Sequence, residues 1–277
     1  MKGSLYIFYS FLTNGSVPQS FIGAKWITTI LRNAPGSLKK PLALRVLGLS
    51  PHYFLSYLDP SYDKLSNKQF LEAEFARNRR GREIISREIL QKFVAPDDAV
   101  LDYGCGPGFL ARAVAPHVGQ VYAIDISRGA LECAKILNGA DNIKYLYALN
   151  DEKEQIADES LDAVYSFAVI QHVTDEVLRE ILAFCFRKLK SGGRLILQVQ
   201  LEESGWRTEE EWKSDKSLAG RVRLSQGLNC FARTAETISA MVSEACFRDI
   251  EFKNVSEMVS ENFDDICRTQ ILLANKS

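Results

Sequence analysis

The apolar run Val100-Leu101-Asp102 leads directly into Tyr103-Gly104-Cys105-Gly106-Pro107-Gly108, and after one helix-length interval comes Val121-Tyr122-Ala123-Ile124-Asp125. The pattern is a strand ending in an acid, a glycine-rich turn, a short helix and a second strand ending in another acid. Glycines let a backbone turn sharply and come close to a ligand, and the helix that follows presents unpaired N–H groups at its start. An acid at the end of the second strand can accept both hydroxyls of a ribose. This arrangement suits a nucleoside-bearing ligand lying across the ends of two strands.

The alternation continues beyond these segments. Strand-like stretches at 99–102, 121–125, 143–147, 161–167 and 193–199 are separated by helix-like stretches at about 108–115, 128–138 and 175–189. Such an order predicts a mostly parallel sheet covered on both faces. Lys190-Ser191-Gly192-Gly193-Arg194 reads as a helix-ending turn before the fifth strand. Thr234 can cap a helix running through Cys246, and 249–255 and 268–275 read as two final strands. Upstream, Ser66 followed by Gln69 has the form of a capping box. From there Phe70, Leu71, Phe75, Ile84, Ile85, Ile89 and Phe93 recur at helical spacing, with an interruption expected near Gly81. Residues 1–64 are broken by Gly15, Pro18, Pro35-Gly36, Pro41, Pro51 and Pro60 and read as short helices and turns.

The glycine spacing separates two kinds of nucleoside cofactor. A dinucleotide fingerprint needs G-x-G-x-x-G, and its third position here falls on Phe109. The third glycine comes one residue earlier, at Gly108, and Asp125 lies 17 residues beyond it. At these residues the chain resembles the class I S-adenosylmethionine-dependent methyltransferases. Asp102 to Gly108 resembles their first motif, and Asp125 falls at the position of their ribose-binding acid. The resemblance covers about 95–200 with specific motifs and extends more loosely through 231–275.

The resemblance implies an α/β three-layer sandwich with a seven-stranded, mostly parallel, Rossmann-like sheet whose last strand is antiparallel. Residues 1–94 would form an N-terminal helical extension or cap. Residues 95–277 would form the methyltransferase domain, with a polar insertion at about 202–228 serving as a lid. It also implies S-adenosyl-L-methionine as cofactor, with Asp102, Tyr103, Gly104 and Gly106 facing its methionine portion. Asp125 would take the ribose, and Ile126 and Leu149 with Asn150 the adenine, Asp151 being the alternative to Asn150. Backbone carbonyls near Ser166 and Phe167 would hold the amino group. Arg77 and Arg80 share one helix face, so Arg80 could reach the cofactor carboxylate or simply be solvated.

His172 follows the fourth strand. Its ordinary pKa near 6.5 suits a general base, and packing beneath the cofactor is the competing role. Trp206, Trp212, Arg221, Arg223 and Phe231 could line an acceptor pocket or hold a surface lid together. His52 and His117 read as loop and turn residues.

Several classes are disfavoured by what the chain lacks. No Asp/Asn-Pro-Pro-Tyr/Phe follows the fourth strand, no cysteine follows a proline, and no C-x-x-x-C-x-x-C iron–sulfur signature occurs. No carboxylate cluster has clear metal spacing, so no metal is expected. The formal net charge of −1 gives no global electrostatic case for nucleic acid. The six cysteines lie far apart, as in a reduced cytoplasmic protein. Tyr6-Ile7-Phe8-Tyr9-Ser10-Phe11-Leu12 is apolar but soon meets Asn14-Gly15 and Pro18. No membrane span is expected, although peripheral lipid contact stays open. The expected activity is methyl transfer to an oxygen or nitrogen, with carbon as a further option, of a small-molecule acceptor. An RNA or protein acceptor, a non-catalytic cofactor-binding scaffold of the same fold and a NAD-dependent oxidoreductase are the alternatives.

Overall fold

The computed structural model describes residues 25–48, 50, 53, 56, 62, 64–149, 151–201, 206–218, 220, 229–261, 263 and 265–277. Expectations for Tyr6 to Leu12, His52, Asn150, Arg221 and Arg223 lie outside the described residues.

Seven strands form one sheet: β1 (Ala99–Tyr103), β2 (Gln120–Asp125), β3 (Ile143–Tyr147), β4 (Leu161–Ser166), β5 (Leu189–Val199), β6 (Phe247–Asn254) and β7 (Gln270–Lys276). Their order is β3-β2-β1-β4-β5-β7-β6. The pairs from β3 through β5 are parallel, and β7 runs antiparallel to both neighbours. The strand order reverses between β1 and β4, the crevice where open α/β sheets bind ligands.

Helices α1 (Lys25–Asn33), α2 (Gly36–Leu47), α3 (Asn67–Glu88), α4 (Phe109–Val114), α5 (Arg128–Leu137), α6 (Asp175–Lys188), α7 (Glu209–Ser214), α8 (Ala235–Glu244) and α9 (Val255–Met258) surround the sheet. One face is packed by Ile85 of α3 and Ile89 just past its end, Leu110 and Val114 of α4, and Leu131 and Ala134 of α5. The opposite face is packed by Leu178, Ile181, Leu182 and Cys185 of α6 and by Ile238, Met241 and Val242 of α8. A third apolar cluster joins Ile27, Leu31, Ala43, Leu47 and Phe70 to Cys133, so α1 and α2 rest on the outside of α5.

Local signals account for most element ends. Ser66 and Gln69 make both bonds of a capping box at the start of α3. Thr174 and Thr234 cap α6 and α8 through their side chains. Two expectations are corrected. The helix continues through Gly81, because its missing side chain leaves room for Phe263, whose ring carbon would lie 3.3 Å from a Cβ there. The chain also passes from Lys188 directly into β5 at Leu189, and the expected turn is instead an irregularity in the β4–β5 ladder with Gly192 at φ +77°. Pro41 lies inside α2 rather than ending it. All six cysteines are free thiols.

Candidate functional site

The carboxyl ends of β1, β2, β3 and β4 converge at the crevice. Gly104, Gly106 and Gly108 all take positive φ, at 78°, 51° and 77°. At Gly104 the need for glycine is double, since a Cβ would also lie 2.3 Å from the Val169 side chain. Gly106 differs, because a Cβ there would meet nothing within 4 Å, leaving its backbone open to a close approach.

Asp125 ties the second strand to this turn. Its carboxylate accepts the Gly106 amide at 2.8 Å and the Ser127 amide at 2.7 Å. Burial raises its pKa, and the amides of Ser127, Gly106 and Ile126 pull it back. Beside it, the Asp125 carbonyl accepts the Ala148 amide at 3.0 Å, bringing the exits of β2 and β3 together. Ile126 and Leu149 follow these exits and are 39% and 57% exposed, unusual for large apolar residues beside a well-packed core. Asp151 begins an exposed 3₁₀ turn.

Asp102 is buried, and its Oδ2 has no hydrogen-bond partner among the described residues. Burial first, then the Asp125 charge, raise its pKa to about 8, while the Arg82 guanidinium works in the opposite direction. Tyr103 gives its ring to an edge contact with Phe184, and its carbonyl accepts the Ser166 hydroxyl at 2.8 Å. Phe167 is buried in the core. The next residue, Ala168, stands at φ +59° and donates its amide to Gln198 Oε1 at 2.6 Å.

His172 closes a 3₁₀ turn, Ile170–His172. Its Nδ1 lies 2.8 Å from the Asn229 carbonyl, an acceptor, so Nδ1 carries the proton and Nε2 keeps its lone pair. Burial lowers its pKa, which keeps the ring neutral near pH 7.

Arg233 was not anticipated. Its buried guanidinium donates to the Ile170 and Val173 carbonyls and to Asp175 Oδ1, clamping the loop that carries His172. Trp212 and Phe231 are buried in the packing of the 206–233 region. The Trp212 indole donates to the Cys230 carbonyl at 2.8 Å, and the Phe231 amide donates to the Gln171 carbonyl at 2.8 Å. These contacts tie Trp212 to Cys230 and Phe231 to Gln171. Trp206 is part-exposed beside them.

On α3, Arg77 pairs with Glu74 and Arg80 with Glu261, at 2.7 and 2.8 Å. Arg80, expected at a cofactor carboxylate, is thus engaged elsewhere, and the guanidinium acting on Asp102 is Arg82.

Residues 101–197 match the family model of the methyltransferase domain. Over this stretch the chain is similar to the class I S-adenosylmethionine-dependent methyltransferases. It is 33% identical over 102 residues to a ubiquinone biosynthesis O-methyltransferase of Xanthomonas oryzae, covering 36% of this chain and 42% of that protein. It is 28% identical over 139 residues to a ribosomal protein L11 methyltransferase of Cupriavidus taiwanensis, covering 44% of each. The chain thus spans less than half the length of these curated relatives. In fold it is similar to a phosphoethanolamine N-methyltransferase of Haemonchus contortus in complex with S-adenosyl-L-methionine. That likeness has a TM-score of 0.51 and 22% identity, over 69% of this chain and 52% of that one.

The cofactor of this family is S-adenosylmethionine, and the crevice fits it. An open glycine backbone, an orphaned buried carboxylate oxygen, an acid held by two amides and two exposed apolar side chains lie at adjoining strand exits. The dinucleotide alternative meets a buried Phe109, packed on Phe75 at 5.0 Å between ring centres, where that fingerprint needs glycine. No helix among the described residues is long and apolar enough to cross a membrane.

Proposed function

We propose that this protein transfers the methyl group of S-adenosylmethionine to an oxygen or nitrogen of a small-molecule acceptor. The observation that carries the reading is the Asp125–Gly106 contact, which joins the ribose acid and the glycine turn into one binding surface. When bound, S-adenosylmethionine supplies a sulfonium-activated methyl group, so the protein's contribution is alignment and exclusion of water.

In this reading Asp125 accepts the ribose hydroxyls while its amide contacts hold it in place. Ile126 and Leu149 cover the two faces of the adenine. Asp102, with Gly104 and Gly106, receives the positively charged amino-acid end, and the backbone at Ser166 and Phe167 accepts from its ammonium. Arg82 sits near enough to act on Asp102, and we assign the cofactor carboxylate to it rather than to Arg80. His172, with Nδ1 committed to Asn229, offers Nε2 as acceptor for a proton from a hydroxyl or amine. Phe231 and Arg233, bonded to the His172 loop, would stand on the acceptor side.

The test is transfer of labelled methyl from S-adenosylmethionine into fractionated extracts, with the product identified by mass. Incorporation into a small molecule, lost in Asp125→Ala, is the expected result. Incorporation only into protein or RNA would overturn the acceptor class, and tight cofactor binding with no transfer would favour a non-catalytic scaffold.

A further inference from the structure

A second cavity lies away from the crevice, between α1, α2 and the outer side of α5. Its volume is about 440 Å³, within the roughly 300–1,000 Å³ usual for small-molecule sites. It is lined by Arg32, Lys39, Lys40 and Lys135, with Glu132 as the only acid among its lining residues. In a chain whose formal net charge is −1, four cations against one acid in a single cleft is a pronounced local imbalance.

The pairing leaves most of that charge uncompensated. Glu132 accepts from both Arg32 and Lys135, the latter at 3.3 Å. Lys39 and Lys40 make no ion pair or hydrogen bond through their side chains among the described residues. Glu152, which also acts on Arg32, is itself paired with Arg128. The same cleft contains the start of α2. Gly36 lines it, a Cβ at Gly36 would meet nothing within 4 Å, and no side chain caps the helix there. The Gly36 and Ser37 amides at that start add partial positive charge to the four side chains, while those of Leu38 and Lys39 donate to the Pro35 carbonyl.

The cavity is separate from the methyl-donor crevice. Helix α5 starts just past Asp125 at the carboxyl ends of the strands and must run back to begin the parallel strand β3. Glu132, Lys135 and Ile136 line the cleft from one side of α5, whereas Ala134 and Asn138 turn toward the glycine turn, where Asn138 donates to the Pro107 carbonyl at 2.7 Å.

We propose that this cleft is a binding site for a phosphate-bearing anion, held by Lys39 and Lys40 from α2 and by Arg32 and Lys135 from either side. Phosphate chemistry fits because its several oxygens can engage both lysines and the guanidinium together, and two negative charges match the unpaired lysines. The anion can come from a soluble phosphate compound or from a lipid headgroup.

The test uses the full chain with two probes, inorganic pyrophosphate by calorimetry and phosphatidylglycerol vesicles by flotation against phosphatidylcholine vesicles. Lys39→Gln/Lys40→Gln removes the two lysines from an exposed surface, and circular dichroism checks the fold. Pyrophosphate binding weakened at least tenfold in the double variant supports the site with a soluble ligand. Selective binding to phosphatidylglycerol vesicles, lost in the double variant, supports it with a lipid headgroup. Glu132→Gln removes the competing acid and should tighten binding of whichever probe engages. Binding of neither probe, or binding unchanged in the double variant, overturns the proposal. Affinity for S-adenosylmethionine should be the same in wild type and the double variant, so this outcome is independent of the methyl-transfer reading.

Discussion

Gly106 donates its amide to the Asp125 carboxylate at 2.8 Å, across the ends of two neighbouring parallel strands. The acid holds the glycine turn in place, and in the proposed site its further lone pairs would take the ribose.

Replacing Asp125 with Ala removes both roles. Hydrogen bonds to a charged acceptor contribute about 1.5–3 kcal/mol each, so losing two ribose contacts should cost roughly 100-fold or more in affinity. Calorimetric titration with S-adenosylhomocysteine measures this directly. A change of less than threefold would remove Asp125 from the binding surface.

In the proposed site, Asp102 should make cofactor binding proton-linked. Burial and the Asp125 charge raise its pKa to about 8, so it is largely protonated at pH 7 in the ligand-free protein. A positively charged amino-acid end favours the carboxylate. Binding at pH 7 should then release close to one proton, and affinity should rise with pH toward about 8. Titrations in two buffers of different ionisation enthalpy detect the proton, and Asp102→Asn should abolish its release. Stability of the ligand-free protein has the opposite sign. The group's contribution is full below the ordinary aspartate range and is lost as pH rises through about 8, so Asp102→Asn should gain on wild type over that interval.

Gly104 offers a double-mutant cycle. Gly104→Ala meets the Val169 side chain and also forces alanine to a φ of +78°. Val169→Ala should recover the packing part of the loss. The remainder should be the left-handed backbone cost, about 1–2 kcal/mol. Denaturant unfolding of the four proteins reads both parts, and no recovery in the double variant would contradict the contact.

His172 is neutral at pH 7 because burial lowers its pKa. Its contribution to stability is present above its ordinary pKa and should be lost as pH falls below about 6.5. His172→Gln should flatten that acid limb. As a general base, His172→Ala should lower turnover by roughly 100-fold with cofactor affinity nearly unchanged. Unchanged turnover would leave the ring with its packing role alone.

What was legible in the sequence was carried by local pattern. The Asp102–Gly108 turn, the acid at Asp125, the Ser66–Gln69 capping box and the cap at Thr234 involve neighbours a few residues apart, where residue type constrains backbone conformation. The features missed depend on distant partners. Arg233 clamps carbonyls some 60 residues earlier in the chain, and nothing in its own surroundings marks it as buried. Arg82, not Arg80, acts on Asp102 because the rotational phase of α3 is set by packing on α4 and Phe263, and Glu261 draws Arg80 away. Gly81 was read as a break because its lack of a side chain is unfavourable in an isolated helix. In the folded chain it provides the space that Phe263 occupies.

The most direct test of the account is a paired calorimetric titration of the full chain with S-adenosylmethionine and with NAD. The account predicts saturable one-to-one binding of S-adenosylmethionine, lost in Asp125→Ala, and no binding of NAD. Saturable binding of NAD with none of S-adenosylmethionine would contradict it.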